Sequence, residues 1–449
     1  MKLHFHGAAQ MVTGSNYLLE TKDTKILIDC GLFQGAKHVG DKNYEKFPFN
    51  PKEIDFLLVT HAHVDHTGRI PKLYRDGFRG KIFATKPTKD FAYIMLEDSQ
   101  GILEKEARHL GKEPLYQFAD VKACLELIKG VNYAEKINLG DGISFQFRDA
   151  GHILGSAIIE LWAEGKKIVF SGDLGNQPVP LLNPPELINE ADYLVIESTY
   201  GDRIHEGKRK RKDLLENAIE DTIAKGGTLM IPAFALERTQ ELLYELNELV
   251  ENRRIPKVPV FVDSPMAIES LEVYKKHPEC YNKKATYLIE SGDDLFKFPG
   301  LKLTKTAEES KQINNVKPPK VIMAGSGMST GGRIVHHEIR YLPDPNSCLL
   351  IVSYQVAGSL GRRILEGAKD VRIFDEIVPV RAEIRAIGAY SSHADQQELY
   401  DWLTSFKKPA SKIFVVHGEE GPALSLVQRI KDHLGIDASA PILGDVVEL

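Results

Sequence analysis

One run of ligand-type side chains constrains this chain more than any other stretch: Thr60-His61-Ala62-His63-Val64-Asp65-His66-Thr67-Gly68. It follows the apolar segment Ile54-Asp55-Phe56-Leu57-Leu58-Val59, which reads as a buried β-strand,. Open α/β sheets usually carry their sites at the carboxyl ends of strands, so this strand delivers three histidines and an aspartate together. His61 and His63 are two residues apart and, in an extended loop, project to one side where they can bind one ion. Asp65 and His66 diverge from that pair and suit a second ion beside the first. Imidazole and carboxylate without thiolate favour zinc, with manganese and iron as alternatives. The competing reading is a surface loop that is histidine-rich by chance.

A chain of 449 residues, 43% hydrophobic, can bury a sizeable core and should form about two to three domain-sized units,. With 57 basic and 63 acidic residues its net charge is −6, which argues against a protein that coats nucleic acid through overall charge,. Any polyanion site must be focused. Cys30, Cys124, Cys280 and Cys348 are scattered and fit reduced buried thiols better than disulfides or a thiolate zinc site,. The N-terminus lacks the apolar region of a secretion signal, and no stretch approaches the roughly 18 apolar residues of a membrane span,. A soluble, cytoplasmic protein without membrane contact is expected.

In chain order, strands are expected at Lys2 to Phe5, Ser15 to Glu20, Lys25 to Cys30 and Ile54 to Thr60,. His4 and His6 alternate with apolar residues and read as strand residues rather than ligands. Asp29 ends a near-continuous apolar strand, which a core rejects unless the carboxylate is hydrogen-bonded, so it needs a partner near the metal loop,. From Thr88 to Gly130 the apolar spacing turns helical. His152 stands in the loop Asp149-Ala150-Gly151-His152-Ile153-Leu154-Gly155, and Lys167 to Asp173 repeats the pattern of a buried strand ending in an aspartate. Either residue alone is as readily structural.

After the strand Tyr193 to Ile196, a long α/β-patterned stretch intervenes before the next ligand-type motif. Its strands are expected at Thr228 to Ala233, Val258 to Asp263, Lys320 to Ala324 and Ser347 to Ser353, with a helix from Thr239 to Val250. The H-x-H-x-D-H run resembles the signature of the metallo-β-lactamase superfamily. Glu197-Ser198-Thr199-Tyr200-Gly201, Ile231 to Leu242, Tyr390-Ser391-Ser392-His393-Ala394-Asp395 and Val415-Val416-His417-Gly418-Glu419 resemble successive motifs of its β-CASP nucleases. The resemblance covers essentially the whole chain, with motifs in family order from Asp29 to His417.

That resemblance implies an αββα metallo-β-lactamase sandwich, residues 1–205 and 389–449, with an α/β β-CASP domain inserted at 206–388. It implies one ion on His61, His63, His152 and Asp173, and another on Asp65, His66, Asp173 and His417, with Asp29 supporting the ligands from behind,. Glu197 and His393 would form a branch-specific pair, the carboxylate orienting the imidazole, and Asp65, Glu197 and His393 are the expected catalytic residues. The implied activity is hydrolysis of phosphodiesters in single-stranded RNA by a metal-bridging hydroxide, in a cleft between the domains. Two Zn2+, with Mn2+ as the alternative, are the implied cofactors. His393, near its unperturbed pKa of about 6.5, is the expected acid for the leaving oxygen.

Gly325-Ser326-Gly327-Met328-Ser329-Thr330-Gly331-Gly332-Arg333 follows a buried strand, so Ser326, Ser329, Thr330 and Arg333 are expected at a substrate phosphate, with Arg362-Arg363 nearby; a tight turn is the alternative,. The basic run Lys208 to Lys212 is either a solvated helix face or a nucleic-acid contact,. A DNA nuclease of the same branch, a small-molecule hydrolase and a catalytically silent RNA-binding scaffold are the alternative functions. The oligomeric state, homodimer included, is left open.

Overall fold

The computed structural model describes residues 1–35, 37–205, 210–356 and 358–449. The chain divides into two compact units: Met1–Val179, Asn183–Ile204 and His393–Leu449 form one, and Pro180–Leu182 with His205–Ser392 the other. The second unit thus opens one residue before the boundary expected at 206 and closes four beyond the one expected at 388, with a short segment from 180 to 182 joining it.

The first unit is built on two seven-stranded sheets. One runs in the order Val446–Glu448, Lys2–Gly7, Asn16–Glu20, Lys25–Ile28, Phe56–Leu58, Lys81–Thr85, Ile128–Val131. The other runs Asp437–Ser439, Lys412–Val416, Tyr193–Glu197, Lys166–Phe170, Ala157–Ala163, Ile143–Asp149, Ile137–Gly140. Alternation along the strands explains why both faces are covered. Leu3, Phe5, Ile26 and Ile28 meet Phe145, Ile159, Phe170, Val195 and Phe414 in a shared core between the sheets,. The alternate residues Leu27, Leu57 and Ile82 pack under helices through Ile70, Leu73, Leu96 and Val121. On the far side Val169, Leu194, Ile196 and Val415 pack against Leu399, Trp402, Leu426 and Ile430. The result is an αββα sandwich.

The second unit holds a six-stranded sheet, all parallel, in the order Leu301–Leu303, Val260–Asp263, Lys320–Ala324, Thr228–Pro232, Cys348–Ile351, Glu383–Ala386. Its central strands are buried throughout, as the near-continuous apolar runs require,.

Several expected elements shift. The helical stretch expected from Thr88 to Gly130 is two helices, Lys86–His109 and Phe118–Glu126, and Ile128 belongs to the strand Ile128–Val131. A short apolar run fits either period, and pairing with Ile82–Thr85 decides it,. The four cysteines are buried and free. Among the described residues no helix is long and apolar enough to cross a membrane.

Candidate metal centre

The site gathers at the carboxyl ends of parallel neighbours. Phe56–Leu58 lies between Lys25–Ile28 and Lys81–Thr85, so its exit loop carries His61 to His66 beside Asp29. In the other sheet Lys166–Phe170, Tyr193–Glu197 and Lys412–Val416 are parallel neighbours with Phe170 opposite Val195 and Glu197 opposite Val416. That register sets Asp173, Glu197 and His417 side by side. The strand Ile143–Asp149 leads into the loop with His152.

The ligand-type atoms converge as three overlapping groups: His61, His63, His152 and Asp173; Asp65, His66 and His417; and Asp173, Glu197 and His417. In the first, His63 Nδ1 lies 3.1 Å from His61 Nε2 and 3.3 Å from His152 Nε2. Asp173 Oδ2 lies 3.5 Å from His61 Nε2 and 3.6 Å from His152 Nε2. In the second, His66 Nε2 is 3.1 Å from His417 Nε2, and Asp65 Oδ2 is 3.5 Å from His417 Nε2 and 3.9 Å from His66 Nε2. The same Asp173 Oδ2 stands 3.4 Å from His66 Nε2. Ligands about 2.0–2.2 Å from a zinc ion sit roughly 3.3–3.6 Å apart on a tetrahedron, and the observed spacings of 3.1 to 3.9 Å bracket that range,. Asp173 Oδ1 is buried with no hydrogen-bond partner, a further sign that a cation belongs here,.

The rear nitrogens are anchored. His66 Nδ1 lies 2.7 Å from Asp29 Oδ2, so Nδ1–H donates there and Nε2 is the nitrogen that faces Asp173,. Asp29 also accepts from the Thr60 N–H and hydroxyl at 2.8 Å and from Ser15 Oγ at 3.3 Å, which answers the burial cost of its charge,. Thr60 Oγ1 in turn lies 3.1 Å from His61 Nδ1. Behind this, Gly31 has room for no side chain: a Cβ would fall 1.5 Å from the Asp65 carbonyl oxygen.

Electrostatics favour the protonation state that ligation needs. Burial, aided by neighbouring His66, holds the His61 imidazole neutral, and burial brings His63 down to about 4. Burial alone would raise Asp65, but His66 and His417 outweigh it and draw it down to about 2. His66 is the exception, because Asp173, Asp29 and Asp65 overcome burial and raise it well above its ordinary value. It must release a proton when a cation binds.

Beside the cluster, His393 Nδ1 lies 3.2 and 3.3 Å from the two Glu197 oxygens. Glu197 is buried and fixed by the N–H groups of Leu174 at 2.6 Å and Thr199 at 3.3 Å. The His393 side chain is 18% exposed and that of Asp65 19%, against 2% for Asp173, so His393 and Asp65 mark the open side. Burial would lower His393, but Glu197, then Asp173 and Asp65, raise it to about 9. The expectation of an unperturbed imidazole is therefore corrected: a buried carboxylate partner shifts it upward.

Family models match three successive regions: a metallo-β-lactamase superfamily domain over 18–194, a Beta-Casp domain over 239–364, and a Zn-dependent metallo-hydrolase RNA specificity domain over 377–441. The chain is 39% identical to a ribonuclease of Thermus thermophilus, with 95% of each chain covered. It belongs to the β-CASP family of the metallo-β-lactamase superfamily. It is also 33% identical to an RNase J-like protein of Methanocaldococcus jannaschii, covering 100% of this chain and 99% of that one. A transcription termination factor of the same organism is 31% identical, covering 96% of this chain and 69% of the factor. Among solved structures, a protein of unknown function from Enterococcus faecalis V583 shares the fold, with a TM-score of 0.55, 13% identity and 100% and 99% coverage. The superfamily and the buried cluster together indicate divalent-metal binding.

The glycine-rich loop of the β-CASP unit is more self-contained than its sequence suggests. Ser326 N–H donates to the Gly331 carbonyl, Ser329 N–H to the Ser326 carbonyl and Thr330 N–H to Ser326 Oγ at 3.0 Å. Ser329 is buried with its hydroxyl on Glu338. Arg333 donates to Asp263 at 2.7 Å and to the carbonyls of Thr304 and Lys305. Ser326 and Thr330 keep their hydroxyls toward the surface, 3.2 Å apart. Arg362 pairs with Glu366 at 2.6 Å. Of the basic run, Lys208 and Arg209 lie outside the described residues; Arg211 is buried on Glu245 at 2.9 Å and Lys212 meets Glu248 at 2.7 Å.

Sequence reasoning passed over Thr60 and Thr199, whose hydroxyls touch His61 and His417. Both were in plain view, one directly before His61 and one in the Glu197-Ser198-Thr199 motif.

Proposed function

We propose that this chain is a zinc-dependent ribonuclease that hydrolyses phosphodiester bonds of single-stranded RNA. Two ions would be held, one by His61, His63, His152 and Asp173, the other by Asp65, His66, Asp173 and His417, with manganese as the alternative to zinc. The observation that carries this reading is Asp173 Oδ2, which stands 3.4 to 3.6 Å from nitrogens of both ligand sets. Bound there, divalent ions supply positive charge to a phosphodiester and bring the pKa of a water to near neutrality.

The chain's own groups do the rest. His393 Nδ1–H donates to Glu197, so the Nε2 proton is the one presented outward, and the Glu197 carboxylate favours the protonated ring. His393 thus serves as general acid for the leaving 3′-oxygen. Asp65 is the more open of the ligand carboxylates and the one placed to take up a proton. Ser326 and Thr330 offer hydroxyls to a substrate phosphate, while Ser329 and Arg333 shape the loop behind them. The names of the ribonuclease and RNase J-like relatives support RNA as the substrate.

Incubating the zinc-loaded protein with labelled RNA and matched DNA, each with and without a 5′-monophosphate, tests the reading. RNA cleavage that a chelator stops is expected. Equal cleavage of DNA would move the assignment to a DNA nuclease, and RNA binding without cleavage would make the chain a scaffold.

A further inference from the structure

The strand end that carries His417 is under unusual backbone constraint. His417 has a φ of +49°, in the left-handed region that a non-glycine residue enters only when its surroundings hold it there,. Its N–H donates to the Ala8 carbonyl at 2.7 Å, and its own carbonyl accepts from Ser198 N–H at 3.3 Å and from Thr199 Oγ1 at 3.1 Å. The following residue admits only glycine, since a Cβ on Gly418 would lie 2.3 Å from Ser198 Oγ. The parallel register of Tyr193–Glu197 with Lys412–Val416 brings these two strand ends together.

Within this clamp Thr199 Oγ1 also lies 3.2 Å from His417 Nδ1, and both side chains are buried. A threonine hydroxyl has one proton and spare lone pairs. With that proton on the His417 carbonyl, the oxygen faces Nδ1 as an acceptor, which places the imidazole proton on Nδ1. The lone pair is then on Nε2, the nitrogen that faces His66 Nε2 at 3.1 Å and Asp65 Oδ2 at 3.5 Å. His66 reaches the same end through Asp29, a carboxylate at 2.7 Å; at His417 Nδ1 the Thr199 hydroxyl, at 3.2 Å, stands nearer than the Asp173 Oδ1 carboxylate oxygen at 3.6 Å.

We infer that Thr199 is a positioning residue whose hydroxyl fixes the Nδ1-protonated tautomer of His417 and so prepares Nε2 to hold the ion shared with Asp65 and His66. This rests on the two-ion reading proposed above. Losing a partner behind a metal-ligating histidine typically weakens metal affinity about 10–100-fold.

The test compares wild type with Thr199→Val, which keeps the shape and removes the hydroxyl, and Thr199→Ser, which restores it. Zinc is titrated in competition with a chelator, and the His417 tautomer is read from ring-nitrogen resonances of 15N-histidine-labelled, zinc-loaded protein. Thr199→Val should weaken one of the two ions about 10–100-fold and spare the other, Thr199→Ser should recover it, and wild type should carry the proton on Nδ1. Unchanged affinity in Thr199→Val, equal weakening of both ions, or failure of the serine to rescue would overturn the proposal. Should Thr199→Val fail to fold, the wild-type spectrum decides alone: a proton on Nε2 of His417 overturns it. A wild type that takes up no second ion would instead sink the two-ion reading itself.

Discussion

The histidine-rich centre and the glycine-rich loop are both strand-end loops full of polar side chains, and they differ in where those groups point. At the centre, Nε2 of His66 faces Nε2 of His417 at 3.1 Å and Asp173 Oδ1 has no hydrogen-bond partner, so like atoms converge on points where only a proton or a cation can reconcile them. At the loop, Asp263 is saturated: His337, Arg333, Thr304 and Ser310 all donate to it, at 2.6 to 2.8 Å. Glu338 behind the loop keeps an unbonded Oε2, but burial pushes its carboxyl up to about 7, the response of a lone acid rather than of a ligand set,. A convergent, unsaturated set marks a ligand site, whereas a saturated one marks scaffold.

The contrast breaks most visibly at its two aspartates. Asp173→Ala should lose most of the bound zinc and, with it, cleavage; elemental analysis showing full occupancy would remove Asp173 from the shared position. His393→Ala should cut cleavage by about 10²–10⁴-fold while zinc content and RNA affinity stay near wild type. A substrate with an activated phenolate leaving group should recover much of that loss, and disappearance of one ion would make His393 a ligand. Asp263→Ala should do the opposite: zinc content unchanged, but stability lower by about 1–3 kcal/mol in a denaturant titration, because buried His337 and half-buried Arg333 lose their carboxylate,. An unaltered midpoint would show that the network is not load on the fold.

The difference also explains what the sequence could tell. Residues His61 to His66, Asp173 and His417 were legible because each ends an apolar strand, where a charged or ligating side chain has no reason to be unless something binds it,. The β-CASP insertion was legible from motif order. Saturation was not: that Arg333 turns back to Asp263, seventy positions earlier in the chain, depends on the parallel pairing of Val260–Asp263 with Lys320–Ala324. Nor was the raised pKa of His393, since Glu197 and His393 meet only through folding. Thr199 escaped notice because a hydroxyl carries no periodic or charge signal.

A smaller effect probes the acid. His393 must be protonated to donate, so cleavage should fall as pH rises through its pKa. Glu197 is the leading group that raises that pKa, to about 9 in the metal-free protein. Glu197→Gln should therefore move the alkaline limb of the pH–rate profile to lower pH, and an unmoved limb would mean that another group donates the proton.

The smallest effect lies in the basic run, where the same saturated-versus-free criterion divides neighbours. Arg211 is buried between Glu241 and Glu245, and Lys212 is tied to Glu248, so neither ammonium nor guanidinium is available to displace counterions from RNA. Lys210 is exposed. Each phosphate contact on a single strand contributes roughly 0.7 to the slope of log affinity against log salt. Lys210→Gln should flatten that slope by about this amount if the run meets RNA, with stability unchanged. Arg211→Gln should leave the slope alone and lower stability instead, because among the described residues buried Glu245 loses its only cationic partner and keeps just the Tyr390 hydroxyl, while Glu241 retains Arg238. Should Arg211→Gln flatten the slope as much as Lys210→Gln, the buried pair must open on RNA binding, and saturation would no longer separate scaffold from contact in this unit.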